Sequence, residues 1–187
     1  DKIRKAVDKA NICFLHAPKF HPAMKNVAPV RKELGLKTFF NMLGPMVNPS
    51  MPEKQVVGVY NLELARIYNY LYQTTDINYN IIHSIDGYDE ISLTNGTKVY
   101  SRESEFILGS EDFNLKNIDS KNIIGGKDIK SSSKIFIDVL NGKGSTDQEN
   151  VVCANASLAI AISKDVSIIE AFNQAKESIK TKNALKC

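Results

Sequence analysis

The sequence has no tryptophan, only three cysteines, and no apolar run near the roughly 20 residues that a membrane-spanning helix needs. Cys13, Cys153 and Cys187 are far apart and odd in number. No Cys-x-x-Cys pair or Cys/His spacing accompanies them, which excludes a zinc-ligand pattern and leaves reduced thiols as the expectation. A net charge of +3, with lysines and acidic residues interspersed, lacks the basic stripe that nucleic acid requires. The first residues, Asp1-Lys-Ile-Arg-Lys, are charged and helical in character, unlike a secretory leader, and carry no initiator Met. These absences lead us to expect a cytoplasmic chain with no nucleic-acid or membrane partner, beginning inside a longer protein.

What is present suits one domain, or a large piece of one. Hydrophobic residues make up 43% of the 187, enough for a core. Residues 1–11 read as the last turns of a helix, with Ile3, Val7 and Ala10 at helical spacing. Ile12 to Leu15 can be a short buried strand. Pro29 can open a helix that Gly35 ends, with Val27, Val30 and Leu34 on one face. Gln55 to Tyr60 reads as a strand. Asn61 then caps a helix running to about Gln73, with Leu64, Ile67, Tyr68 and Leu71 inward. Tyr79 to Ser84 is the next strand, and the strand–helix–strand rhythm predicts parallel α/β architecture.

The loop Ile85-Asp86-Gly87-Tyr88-Asp89-Glu90 follows. Short strands at 91–93 and 97–101, joined through Asn95-Gly96, predict a hairpin, because that dipeptide favours positive φ. Residues 105–108 can add a third strand, and the polar stretch 114–133 reads as surface loop. Three helices, at about 131–141, 148–163 and 166–180, close the chain. The middle one is apolar nearly all round, and its small residues predict burial with close packing.

One segment resists explanation by packing. His16-Ala-Pro-Lys-Phe-His-Pro-Ala-Met24 runs through Val30-Arg-Lys-Glu-Leu-Gly35 and Thr38-Phe-Phe-Asn-Met-Leu-Gly-Pro45 to Asn48-Pro49. It mixes prolines, histidines and basic residues as ligand-facing loops do. This stretch closely resembles the signature of the anthranilate phosphoribosyltransferases. The likeness continues through Gly58-Val-Tyr60, His83 with Asp86-Gly-Tyr-Asp-Glu-Ile-Ser92, Asp138-Val-Leu-Asn-Gly142 and Asn155-Ala156, and so covers essentially the whole chain. Two departures are visible: Ser84-Ile85 replaces the usual glycine after the histidine, and Ser131-Ser-Ser133 replaces a common Glu-Asn-Ala.

The resemblance implies the C-terminal part of an α/β phosphoribosyltransferase catalytic domain, with a mostly parallel sheet flanked by helices and a small β-hairpin insertion. It implies transfer of phosphoribosyl from 5-phosphoribosyl 1-diphosphate to anthranilate, with Mg²⁺ as cofactor and a homodimeric full-length protein. By chemistry alone Arg31 is an exposed helical residue pairing with Glu33 or solvent. By resemblance it holds the anthranilate carboxylate, a task suited to the two parallel bonds of a guanidinium. Ala17, Pro18 and His21 are placed at the same acceptor site, where they shape a slot rather than perform chemistry. Asp89 and Glu90 are an acidic loop by chemistry and a Mg²⁺ site by resemblance. Neighbouring strand residues point to opposite faces, so both carboxylates can serve one ion only where the backbone turns. No role falls to Asp86, and His83 reads as structural.

The family's Gly-Thr-Gly-Gly-Asp diphosphate loop does not occur in this sequence, and Gly125-Gly-Lys-Asp128 is no substitute, since the flanking Thr and Ser are missing. The expectation is a chain, 1–187, that lacks the diphosphate loop and the N-terminal helical domain and has negligible transferase activity alone. Two other readings stay open: a related phosphoribosyltransferase-fold branch with other ligands, and a non-catalytic binding module.

Overall fold

The computed structural model describes residues 2–20, 22, 26, 27, 29, 30, 33, 35 and 42–187. It divides into two compact units: one reaches Pro52 and takes in Cys187, and the other is Glu53–Lys186.

In the first unit, helix α1 spans Lys2–Ala10 and a single turn, α2, spans Ala17–Phe20. Asn11 ends α1 in the left-handed region (φ 55°), with its N–H bonded to the Val7 carbonyl at 2.9 Å. Residues 12–15 form no strand. Phe14 is 87% exposed and Ile12 is exposed, so the apolar run is not the buried element expected. Asn26 and Val27 are already helical, so Pro29 does not open that helix; Gly35 has φ 60°, as expected of a helix-ending glycine. Gly44–Val47 is a 3₁₀ turn with a proline at its start.

The second unit holds a four-stranded sheet in the order β1 (Lys54–Gly58), β2 (Asn78–Ser84), β3 (Thr97–Ser101), β4 (Glu105–Leu108). The β1–β2 pair is parallel, as a strand–helix–strand unit requires, and β3 and β4 add antiparallel. Helix α3 (Leu62–Gln73) is the crossover, and the Asn61 side chain caps it by accepting from the Leu64 N–H at 2.8 Å. Four more helical elements follow: α4 (Ile129–Leu140), α5 (Thr146–Lys164), α6 (Ile168–Lys180) and a single turn, α7 (Asn183–Lys186). Ser145 and Gln148 close a reciprocal capping box at the start of α5.

The period-2 alternation of β2 sorts the core into two layers. Tyr79 and Ile81 face α3, where the Tyr79 hydroxyl donates to the Asn69 side-chain carbonyl at 2.7 Å and its ring lies 5.2 Å from that of Tyr72. Ile82 faces the other way and joins Val99, Cys153, Ala154, Leu158 and Phe172 in the main core, covered by α5 and α6. Helix α3 buries Leu64, Ala65, Tyr68 and Tyr72. Its inward stripe is therefore rotated from the expected one, and Ile67 and Leu71 are exposed. Helix α5 is buried along one stripe only, with Val152 open at 43%.

The expected strand at 91–93 is absent, and Asn95-Gly96 does not turn a hairpin there. Leu93 adopts φ 59°, which no β-strand accommodates. The hairpin lies one element later, between β3 and β4, where the Ser101 N–H donates to the Ser104 carbonyl at 2.9 Å. The stretch 114–133 is less loop-like than expected, since a 3₁₀ turn forms at Ser120–Ile123 and Leu115 and Ile118 pack on the core. Among the described residues no single helix is long and apolar enough to cross a membrane.

Candidate active site

Because β1 and β2 run parallel, Gly58 and Ser84 end at the same edge of the sheet. The C-terminal edge of parallel strands is where α/β folds place ligands, since strand ends and their loops converge there. The loop after β2 carries Asp89 and Glu90, and both line a cleft of about 440 Å³ with Gly58, Ile82, Val151 and Asn155. The expected turn in the backbone is present: the pair lies in an irregular bend, not on a strand.

That bend is built by side chains more than by sheet pairing. The Ser84 N–H donates to the Tyr88 carbonyl at 2.8 Å, and the Gly87 N–H donates to the Ser84 carbonyl at 2.9 Å. Gly87, at φ 99°, takes the conformation that only glycine adopts cheaply. The Ser84 hydroxyl, fully buried, donates to the Glu90 carbonyl at 2.7 Å and lies 2.8 Å from the Thr97 hydroxyl. Asn155, on α5, accepts from the Ile91 N–H and donates to the Ile91 carbonyl, each at 2.8 Å. Ile91 and Leu93, both 1% exposed, then anchor the loop in the core.

Asp86 is spoken for. Its carboxylate accepts from the hydroxyls of Ser92 and Thr94, so it ties the loop to itself. His83 is structural as well: it is buried, and its Nδ1 donates to the Val59 carbonyl at 2.8 Å. Asp89 and Glu90 differ. Both are exposed, and neither carboxylate has a hydrogen bond or ion pair among the described residues. Two adjacent bare carboxylates on a fixed bend suit Mg²⁺, which takes one or two protein carboxylates and fills its remaining positions with water or phosphate. No cluster of three or more His, Cys, Asp or Glu occurs among the described residues.

Arg31 and His21 lie outside the described residues, as do the side chains of Ala17 and Pro18. Gly58, Ser84 and Asn155, which contact the bend directly, are positions to which sequence reasoning gave no role. The signal for Gly58 and Asn155 was their place in matched motifs, and for Ser84 its departure from the pattern.

The model of the glycosyl transferase family, a/b domain, matches residues 1–185. This chain belongs to that glycosyl transferase family. Among curated relatives of this glycosyl transferase chain is the anthranilate phosphoribosyltransferase of Christiangramia forsetii, 59% identical over 182 residues, covering 97% of this chain and 55% of that protein. That of Flavobacterium psychrophilum is 58% identical over 177 residues, covering 95% and 54%. The chain thus spans about half the length of the curated relatives it matches. Among solved structures, the anthranilate phosphoribosyltransferase of Thermus thermophilus matches with a TM-score of 0.90 at 27% identity, covering 99% of this chain and 56% of the other. That of Saccharomyces cerevisiae in complex with PRPP and Mg matches with a TM-score of 0.86 at 29% identity, covering 97% and 53%. The α/β fold and the family read from the motifs are both borne out by these matches.

Proposed function

We propose that this chain is the C-terminal part of the catalytic domain of an anthranilate phosphoribosyltransferase, acting within a longer, homodimeric, cytoplasmic protein. The anthranilate amine attacks the anomeric carbon of 5-phosphoribosyl 1-diphosphate, the bond to the diphosphate oxygen breaks, and the amine proton is released. The products are N-(5-phosphoribosyl)anthranilate and pyrophosphate. Asp89 and Glu90 hold Mg²⁺, which when bound offsets the negative charge that builds on the departing diphosphate. Arg31 takes the acceptor carboxylate, and Ala17, Pro18 and His21 form the slot for its ring.

The observation that carries this reading is a pair of carboxylates, without partners among the described residues, held on a braced bend at the C-terminal edge of the parallel strands. The names of the relatives support the choice of acceptor and donor. A diphosphate loop on another part of the longer protein completes the site, so the 187 residues alone turn over negligibly.

The test is a graft. This chain replaces the matching part of the Christiangramia forsetii relative, in a bacterium that lacks its own anthranilate phosphoribosyltransferase. Growth without tryptophan is the expected result. Arg31→Ala and the double change Asp89→Asn with Glu90→Gln should each abolish it. A well-expressed graft that never supports growth, or one indifferent to these changes, would sink the reading.

A further inference from the structure

We propose that Asn155 is a positioning residue that fixes the backbone of the acidic bend. Its relevance to metal binding rests on the reading of Asp89 and Glu90 as Mg²⁺ ligands. Ile91 is 1% exposed, yet it belongs to no strand, so its N–H and C=O need partners that the sheet does not supply. Asn155, 64 residues further along the chain, satisfies both at 2.8 Å, as the edge of a neighbouring strand would. The remaining amide hydrogen of Asn155 is donated to the Val151 carbonyl at 2.9 Å, one helical turn back. That third bond locks the side chain against α5. It also sets the amide orientation, since the reverse would turn the amide oxygen toward two carbonyls and its NH₂ toward an N–H.

The consequence reaches the carboxylates through one peptide unit. Asn155 holds Ile91 and Ser84 holds the Glu90 carbonyl, so the chain leaving Glu90 is gripped from α5 and from β2. Gly58 abuts the Asp89 carbonyl from β1. Asn155 lines the same cleft as the two carboxylates, but its polar atoms are occupied with backbone, which makes it a support for the pair and not a ligand beside them. Outer partners of this kind keep charged ligands from turning away from one another between encounters with the ion.

The purified chain and its Asn155→Leu variant decide the point, with amide hydrogen exchange and Mn²⁺ affinity as readouts. Exchange of the Ile91 amide should rise about tenfold or more in the variant, while amides of Val99 and Leu158 keep their protection. Mn²⁺ affinity should fall about tenfold or more. Should the leucine variant not fold, Asn155→Ala leaves room for water beside Ile91 and serves with the same readouts. Faster exchange spread evenly over the core, or unchanged exchange at Ile91, would overturn the positioning role. Mn²⁺ affinity unaltered by loss of Asn155, yet abolished by Asp89→Asn with Glu90→Gln, would overturn its link to the metal. Absence of Mn²⁺ binding to the unaltered chain counts against the metal reading alone, and the local exchange still decides what Asn155 does.

Discussion

Gly58 and Asp89 touch so closely that a β-carbon at position 58 would stand 1.8 Å from the Asp89 carbonyl oxygen. No real contact is that short, and the obstacle is backbone, which cannot swing aside as a side chain does. The last residue of β1 thus limits how far the acidic bend can stand from the sheet. Gly58→Ala is expected to push residues 88–90 outward. The overpacking should cost about 1–3 kcal/mol, visible as a lower urea midpoint. It should also weaken Mn²⁺ binding more than a core substitution of equal cost, for example one at Leu158. Equal Mn²⁺ affinity in both variants would show that the contact does not shape the site.

Ser84 offers a second handle on the bend. Its hydroxyl is sealed from solvent, and it donates to the Glu90 carbonyl while contacting the Thr97 hydroxyl. Ser84→Ala leaves that carbonyl and the Thr97 hydroxyl short of a partner. The expected loss of stability is about 1–3 kcal/mol, the range for a buried polar group left unsatisfied, measured by urea unfolding. The double change Ser84→Ala with Thr97→Val should cost less than the sum of the two single changes, because it removes both orphans of one network.

Ser84 also marks the boundary of what the residues disclosed in advance. Local features were legible. Asn61 as a cap and α3 ending at Gln73 follow from short-range chemistry, and so do the three closing helices, with ends within two residues or so of those expected. Features set by distant partners were not. The stretch at 91–93 alternates like a strand, yet its backbone is satisfied by an asparagine 64 positions away, and Leu93 turns left-handed instead. The stripe of α3 was misjudged because three tyrosines, Tyr68, Tyr72 and Tyr79, pack together and draw Tyr72 inward at the expense of Ile67 and Leu71. At the candidate site, the acidic pair was readable from its motif. The braces around it were not, because a glycine or serine at the end of a strand, or an asparagine on a helix, carries no mark of what it faces.

Acid should loosen the start of α4 through Asp128. This residue caps the helix, its carboxylate accepting from the Ser131 N–H at 2.7 Å while its own N–H donates to the Ser131 hydroxyl oxygen at 3.1 Å. The Ser131 backbone and hydroxyl bonds hold the carboxyl below its ordinary value of 3.8. With the folded value depressed, the cap's contribution is complete above about pH 4 and fades as pH falls through the lower folded value. Asp128→Asn keeps an accepting oxygen but no titrating group. Its urea midpoint should therefore change less than that of the unaltered chain between pH 4 and pH 2, and parallel curves would refute the assignment.

Alkali should attack the core through Cys153 and Tyr72. Burial, with a smaller contribution from Glu149, pushes the Cys153 thiol from an ordinary 9.0 up to about 11. Burial, with Tyr68 adding to it, pushes the Tyr72 hydroxyl from 10.0 up to about 12, and that hydroxyl donates to the Gln55 side-chain oxygen at 2.5 Å. Both groups are held neutral in the fold but ionise freely once unfolded. Their raised values stabilise the fold fully below pH 9, and the advantage drains away as pH climbs from there toward 11 and 12. The urea midpoint should be level from pH 7 to 8.5 and fall above pH 9. The Cys153→Ala variant, less stable overall because it leaves a cavity, should start its decline about one pH unit later, when only tyrosine remains to ionise. A thiol reagent at pH 8 should label the exposed Cys187 and leave Cys153 untouched until the chain unfolds. Rapid labelling of Cys153 in the folded chain would mean that α5 does not pack against the sheet as described.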